Sequence, residues 1–323
     1  MALQITVLGL GQVGCSFGLA LADQKDPIRR VGFDRDAGTA RKASTLKAFD
    51  ALPFNLPDSV EKADVVFVAM PVDEVRHALE VIAPVLKPEA VVIDASPVKV
   101  EVMGWYHELM PEQPFVAMTP VLNPAYLADG AAGPEAARAD LFKDGLMVIT
   151  HPAGAAEVAL QTAGGLATLL GASPLFADPW ETDGILAAVR LLPELLAAAL
   201  AGSVADQPGW AEARKFASQT FGAVTAPLQE LAERKTLGQA ALLNRDNVLR
   251  VLDNLILELD TLRAAIQNGD QETLTKRIEH ARQERREWIE LHRTANWAGH
   301  QDLHSLPTAS EMILGSRKKK AKT

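Results

Sequence analysis

The chain has 323 residues, 48% hydrophobic and 23% charged, the make-up of a water-soluble globular protein long enough for two cores. A formal net charge of −9 argues against a general nucleic-acid binder, because neutralising phosphates needs a basic face, and the one basic cluster, Arg317 to Lys320, reads as a solvated tail. The single cysteine, Cys15, excludes a disulfide framework or a cysteine-rich metal centre, and no histidine has metal-ligand spacing, so no metal is expected.

Met1 leads directly into the β-rich run Leu3–Leu8 without the charged flank and apolar stretch of a signal peptide. Gly9-Leu10-Gly11-Gln12-Val13-Gly14 follows, then an apolar helical stretch to Ala22. Further strands are predicted at 30–33, 65–69, 91–94, 115–118, 146–150 and 174–177, with helix-length segments such as 73–86 and 155–170 between several of them. Strands alternating with helices predict parallel βαβ units, hence an α/β domain with a doubly wound, Rossmann-type parallel sheet over residues 1–178.

A glycine pattern alone says little, but this one lies between a strand and a helix and has an acidic residue at the end of the next strand. Gly9 permits the tight turn, Gly11 lets the backbone approach a pyrophosphate, and Gly14 lets the helix pack close to the sheet. Amides at the start of that helix face the phosphates, where the dipole favours negative charge. Asp34 can accept hydrogen bonds from a ribose and would repel a 2′-phosphate, which favours NAD; Arg35 beside it leaves NADP open.

From about Pro179 the strand signals stop, and helices are predicted over 182–204, 210–234, 236–268 and 271–293. Residues 184–205 are very apolar, yet Arg190, Pro193 and Glu194 interrupt them, so a buried helix is expected there and no membrane span. Apolar residues at Val248, Leu252, Leu255, Leu259, Leu262 and Ile266 form one stripe, which predicts a homodimer through a helical domain over 179–300. Gly269 suits a helix end and Asp270 the next N-cap, while 301–323 reads as an irregular tail. The cytoplasm is the expected compartment.

With these segments in order, the chain resembles the prephenate and arogenate dehydrogenase family of tyrosine biosynthesis, from the glycine loop to about Arg286. The residues that carry the resemblance are GLGQVG with GFDRD, AMPVDEV around Met70 and Pro71, DASPVK (Asp94 to Lys99), TDGILAAVRLLPELLAAAL and LLNRDNVLRVLDNLILELDTLRAAIQNGD. It implies oxidative decarboxylation: a nicotinamide takes a hydride from the carbon bearing the ring hydroxyl, a histidine takes the hydroxyl proton, and carbon dioxide leaves. The family pattern D-x-G-S-x-K has Pro97 at its serine position here, with Ser96 one residue earlier; its H-P has Thr119 before Pro120. Its H-D is Thr182-Asp183, and S-H-L-P-H is Arg190-Leu191-Leu192-Pro193-Glu194. The substrate-carboxylate arginine expected near 216–221 is missing, while Lys99, Asp183 and Pro193 are retained.

The candidate cofactor contacts are therefore Gly9 to Gly14, Asp34, Arg35, Met70 and Pro71. Ser96, Lys99, Thr119 and Asn123 are the catalytic candidates; Thr119 and Asn123 also read as loop-capping residues, and Lys99 as a helix cap. Arg190 and Glu194, four apart on one helix face, suit either an internal ion pair or a polar substrate wall, and Arg214 either a carboxylate contact or a solvated arginine. His151 is the histidine at a predicted strand end in the first domain and reads better as a surface loop residue. Three functions stay open: a dehydrogenase of prephenate, arogenate or a related small carboxylate; a divergent reductase with another substrate; and a catalytically silent dinucleotide binder.

Overall fold

The computed structural model describes residues 3–22, 24, 27–127, 133–230, 236–295 and 297. The expected tail, 301–323, lies outside them. Seven strands form one sheet in the order β2-β1-β3-β4-β5-β6-β7, from β1 (Leu3–Leu8), β2 (Ile28–Phe33), β3 (Val65–Val68), β4 (Val91–Asp94), β5 (Phe115–Val121), β6 (Leu146–Thr150) and β7 (Ser173–Ala177). β3 and β4 are buried at every position, as unbroken apolar runs are when helices cover both faces of a parallel sheet. One face carries α1 (Gln12–Ala20) and α6 (Glu157–Leu169), and the other carries α4 (Val72–Ile82) and α5 (Val100–Leu109). Two shorter helices, α2 (Ala37–Thr45) and α3 (Leu56–Val60), link β2 to β3.

The sheet is not parallel throughout: β6 runs antiparallel to β5, with Ala117 opposite Thr150 and Thr119 opposite Val148. A parallel return needs a crossover of a dozen or more residues, usually a helix, whereas the described part of this connection holds only two 3₁₀ turns, Pro124–Tyr126 and Pro134–Ala136. The chain therefore turns straight back, and α6 then carries it over to β7, parallel to β6.

Beyond Ala177, Asp178 caps α7 (Pro179–Leu186), accepting hydrogen bonds from the Trp180 and Glu181 amides. The expected helix over 182–204 runs unbroken from Pro179 to Ala205 as α7, a π-turn at Ala187–Leu191 and α8 (Leu192–Ala205), so only its α-helical register is interrupted. Pro193 explains the interruption: its ring would clash with the carbonyl four residues back, and the π-turn, closed by the Leu192 amide on the Ala187 carbonyl, moves that carbonyl aside. The expected helix over 210–234 breaks into α9 (Trp210–Ala213), α10 (Gln219–Thr225) and α11 (Pro227–Glu230), and that over 236–268 divides at Asn244 into α12 (Thr236–Leu243) and α13 (Arg245–Asn268). α13 ends at Gly269, and the Asp270 carboxylate caps α14 (Gln271–Thr294) by accepting from the Thr273 amide. The helical half seats on the α4–α5 face, where Ala187, Leu191, Ala240, Val248 and Val251 join the core of the first domain.

Candidate active site

β1 leads to β2 on one side and β3 lies on the other, so the sheet's topological switch point is the crevice between β1 and β3, where open α/β sheets take ligands. Gly9 stands at its mouth with φ +90°, and a Cβ there would come within 2.5 Å of the Ala69 carbonyl oxygen and 2.9 Å of the Met70 Cα. The loop Ala69-Met70-Pro71 thus packs directly on the glycine turn. A Cβ on Gly14 would lie 1.9 Å from the Gly9 carbonyl oxygen, whereas one on Gly11 would meet nothing within 4 Å. That empty space adjoins the start of α1, where the Gln12, Val13 and Gly14 amides have no acceptor among the described residues. Free first-turn amides beside an open cradle fit a pyrophosphate.

Asp34 accepts from the Leu10 amide at 2.8 Å and the Asp36 amide at 2.9 Å. A carboxylate has about four acceptor sites, so capacity for ribose hydroxyls remains. Leu10 is corrected as a cofactor contact: its side chain is fully buried and its amide is held by Asp34, so it shapes the loop. Val13 packs its side chain on the core, and Gln12 donates to the Ala136 carbonyl at 3.3 Å, so both can offer only backbone amides. Arg35 pairs with Glu74 of α4 at 2.9 Å, so a 2′-phosphate would have to compete with that carboxylate.

The segment after β4 is a closed polar knot. Asp94, fully buried, accepts from the Ser96 amide at 2.8 Å and the Ser96 hydroxyl at 3.0 Å, while Lys99 Nζ donates to the Ser96 carbonyl at 2.6 Å. Asp183 of α7 reaches across and caps α5, accepting from the Lys99 amide at 2.6 Å and the Val100 amide at 3.0 Å. Asn244 Nδ2 in turn donates to the Asp183 carbonyl at 2.8 Å. Lys99 occupies the N-cap position of α5, but its side chain makes no capping bond; with no exposure, it ties the loop from within. Sequence reasoning missed Asp183 as the cap and Asn244 as its support; the retained Asp183 was the available signal.

Burial raises the Asp94 and Asp183 carboxyls and lowers Lys99 to about 8; the Arg190 charge also lowers Lys99, and Asp94 and Asp183 oppose that shift. Between pH 8 and the ordinary lysine value of 10.5 the folded chain releases this proton while the unfolded chain keeps it, so stability rises with pH across that window. The expected gain is about 3 kcal/mol at most, at 1.36 kcal/mol per pKa unit. Denaturant melts from pH 7 to 10.5 should show this rise in the wild type and lose it in Lys99→Met; parallel curves for the two proteins would contradict it.

Thr119 is buried at the carboxyl end of β5, and its hydroxyl has no hydrogen-bond partner among the described residues, like Thr150 Oγ1 and Tyr106 Oη. Thr119 and Thr150 share the sheet face covered by α5. Asn123 is corrected from catalytic candidate to turn former: its side chain accepts from the Ala125 amide at 3.0 Å and donates to the Asp140 carbonyl at 3.0 Å. His151 cannot stand in for the missing imidazole. Because β6 is antiparallel, its end points back toward the start of β5, away from the glycine loop, and His151 lines a separate cavity with Met103, Phe176 and Trp180.

Arg190 lies exposed on the π-turn, and the expected ion pair with Glu194 is not made; Arg190 has no ion pair among the described residues. Glu194 is half-buried in the first turn of α8. Arg214 is exposed after the short helix α9, with no hydrogen bond or ion pair from its guanidinium among the described residues, so the structure does not bring it to the site.

Comparison with known proteins agrees with this architecture. A family model described as prephenate dehydrogenase, nucleotide-binding domain, matches residues 17–173, and one described as prephenate dehydrogenase, dimerization domain, matches 178–280. The chain belongs to the prephenate dehydrogenase family. As a member it is an NAD(P)-dependent oxidoreductase with a nucleotide-binding domain. It is 25% identical to the cyclohexadienyl dehydrogenase of Zymomonas mobilis over 293 residues, 87% of this chain and 94% of that one. It is 24% identical to the prephenate dehydrogenase of Bacillus subtilis over 274 residues, 84% of this chain and 72% of that one. Among solved structures, prephenate dehydrogenase from A. aeolicus in complex with hydroxyphenyl propionate and NAD+ shares the fold with a TM-score of 0.76 at 19% identity, covering 89% of this chain and 98% of that one.

Proposed function

We propose that this family member oxidises a small carboxylate of the prephenate or arogenate type, or a related hydroxy acid, with NAD. The observation that carries the reading is the glycine turn at the switch point, open at Gly11, edged by free amides and backed by Asp34. The amides of α1 hold the pyrophosphate, Asp34 the adenosine ribose, and the Met70–Pro71 loop borders the crevice. Bound there, NAD supplies the hydride acceptor. The substrate's ring hydroxyl has Thr119 in the place of an imidazole, a group that can orient the hydroxyl but cannot hold its proton near neutral pH. The same replacement favours a second reading, a silent dinucleotide binder.

Thermal shift separates cofactor binding from its absence. NADH at large excess over a micromolar affinity should raise the melting temperature, since a ligand bound only by the folded state stabilises it. NADPH should do so less, and Asp34→Ser should narrow the difference. No shift with either nucleotide would end the reading.

We place the division between the domains at 178/179, assign the helical part to a homodimer and locate the protein in the cytoplasm, where the dinucleotide is available. Pro179–Ala205 is long and apolar enough by length and composition to cross a membrane. Here it packs Leu186, Ala187, Leu191 and Ala197 inward and leaves Ile185 and Val189 exposed. On α13 only Val248, Val251 and Ala265 are buried, while Ile256, Leu257, Leu259 and Ile266 are all more than half exposed. The outer part of the apolar stripe is thus uncovered within one chain, as expected of a face buried by a second copy. Light scattering should give twice the 34.7 kDa chain mass, and a monomer at high concentration would refute the assignment.

A further inference from the structure

We propose that Glu135 is a second determinant of the preference for NAD over NADP, acting beside Asp34 by holding Lys42 away from a 2′-phosphate. This rests on the dinucleotide reading above and adds a residue that selects between the two cofactors.

A 2′-phosphate needs cations beside the ribose, and the segment that follows β2 offers Arg35, Arg41 and Lys42. Two of the three are met by carboxylates from far along the chain: Arg35 by Glu74 of α4 at 2.9 Å, and Lys42 by Glu135. Asp34 accepts from the Asp36 amide, and Asp36 caps α2 by accepting from the Thr39 amide at 2.7 Å, so that helix starts beside the ribose carboxylate. Lys42 stands on its second turn, and long helical side chains lean back toward the helix start, here toward the ribose.

Glu135 lies on the 3₁₀ turn of the β5–β6 connection, and that turn is fastened to the helix of the glycine loop. The Ala136 carbonyl accepts from Gln12 Nε2 at 3.3 Å, and the Arg138 amide donates to Ser16 Oγ at 3.0 Å. From Arg138 back to Ala136 the segment thus follows α1 by one turn toward its N-terminus, which brings Glu135 to the end that carries the free amides. Pro134 and Ala136 are buried on either side of Glu135, which fixes its place. The same neighbourhood is felt at Cys15 on α1: burial first, then the charges of Asp34 and Glu135, push its thiol up to about 12.

The Lys42–Glu135 pair therefore spans the gap from α1 to α2 on the ribose side of the cradle. NAD, with a hydroxyl at the 2′ position, leaves the pair intact. A 2′-phosphate has to take Lys42 from Glu135 and then lie near two carboxylates, Asp34 and Glu135. Both partners are exposed, so the pair adds little to stability. Its effect is a choice between nucleotides.

The test is calorimetric titration of the full chain with NADH and NADPH at low ionic strength. Glu135→Gln should raise the NADPH-to-NADH affinity ratio about 3- to 10-fold, the reach of one exposed charge pair together with one removed like charge. The same substitution should raise the ratio again in an Asp34→Ser background. Adding Lys42→Gln to Glu135→Gln should cancel the gain, and added salt should shrink it. An unchanged ratio in both backgrounds, or a gain that survives the loss of Lys42, overturns the proposal. A wild type that binds neither nucleotide is a different result: it defeats the dinucleotide reading itself.

Discussion

Gly14→Ala should abolish measurable NADH binding and destabilise the fold. The added methyl would sit 1.9 Å from the Gly9 carbonyl oxygen, backbone against backbone, with Val7 Cγ1 at 3.2 Å behind it. Close-packed interiors do not absorb an overlap of that size by small adjustments, so α1 must move away from the sheet or the Gly9 turn must change shape. Gly9 cannot yield, because Ala69 and Met70 fill the space beside it and its φ of +90° is open mainly to glycine. Overpacking of this kind costs about 1–3 kcal/mol or more, and the displaced amides no longer converge on the pyrophosphate. Gly11→Ala is the matched control, since its methyl meets no protein atom within 4 Å. It should melt within about 1 kcal/mol of wild type yet lose NADH affinity, because the methyl fills the space needed for close approach of the phosphates. Calorimetric titration with denaturant melts on both variants decides the matter. Wild-type NADH affinity in Gly11→Ala would mean that the dinucleotide does not approach there.

Oxidation of prephenate and arogenate should be slow even at saturating NAD. Thr119 is in the place of the imidazole, Pro97 in the place of the hydroxyl donor, and the segment 215–221 has no arginine. A positioned base is worth about 10²- to 10⁴-fold, and groups that act as one unit do not add, so the combined loss stays within several powers of ten. The structure narrows two simple escapes: His151 follows the end of β6 that lies beside the first half of β5, and Lys99 is enclosed by the loop that it ties. Thr119 Oγ1 is buried without a partner among the described residues, so a residue placed there breaks no hydrogen bond seen there. Thr119→His should therefore raise the rate of NADH formation while leaving NADH affinity as it was. A wild-type kcat on prephenate inside the usual range of about 1 to 10³ per second would show that another residue serves as base.

The nucleotide-binding half was legible because its signals are local. A strand, a glycine turn, a helix and an acidic strand end follow one another over Leu3 to Asp34, and each has its own steric or electrostatic reason. The reversal of β6 was not legible from strand propensity, since what fixes direction is the connection after Val121, whose described residues hold no crossover helix. Part of the helical half was read as longer helices than it forms, because apolar periodicity persists through Asn244 while the backbone divides there into α12 and α13. At the site, Ser96 and Asn123 looked catalytic by position, yet their polar atoms are used by Asp94 and by the Asp140–Leu141 turn. Which neighbour claims a polar atom depends on residues far away in the chain, and a single sequence does not show them.

Asp183 carries a consequence for how the molecule comes together. The helix that follows β4 belongs to the first domain, yet the carboxylate that completes its first turn arrives with the second. The side-chain amide of Asn244, at the junction of α12 and α13, braces the same residue. A nascent chain that has made only its first half thus holds α5 with two open amides, and that turn closes once the later helices have docked. The two halves are thereby joined at the first turn of α5.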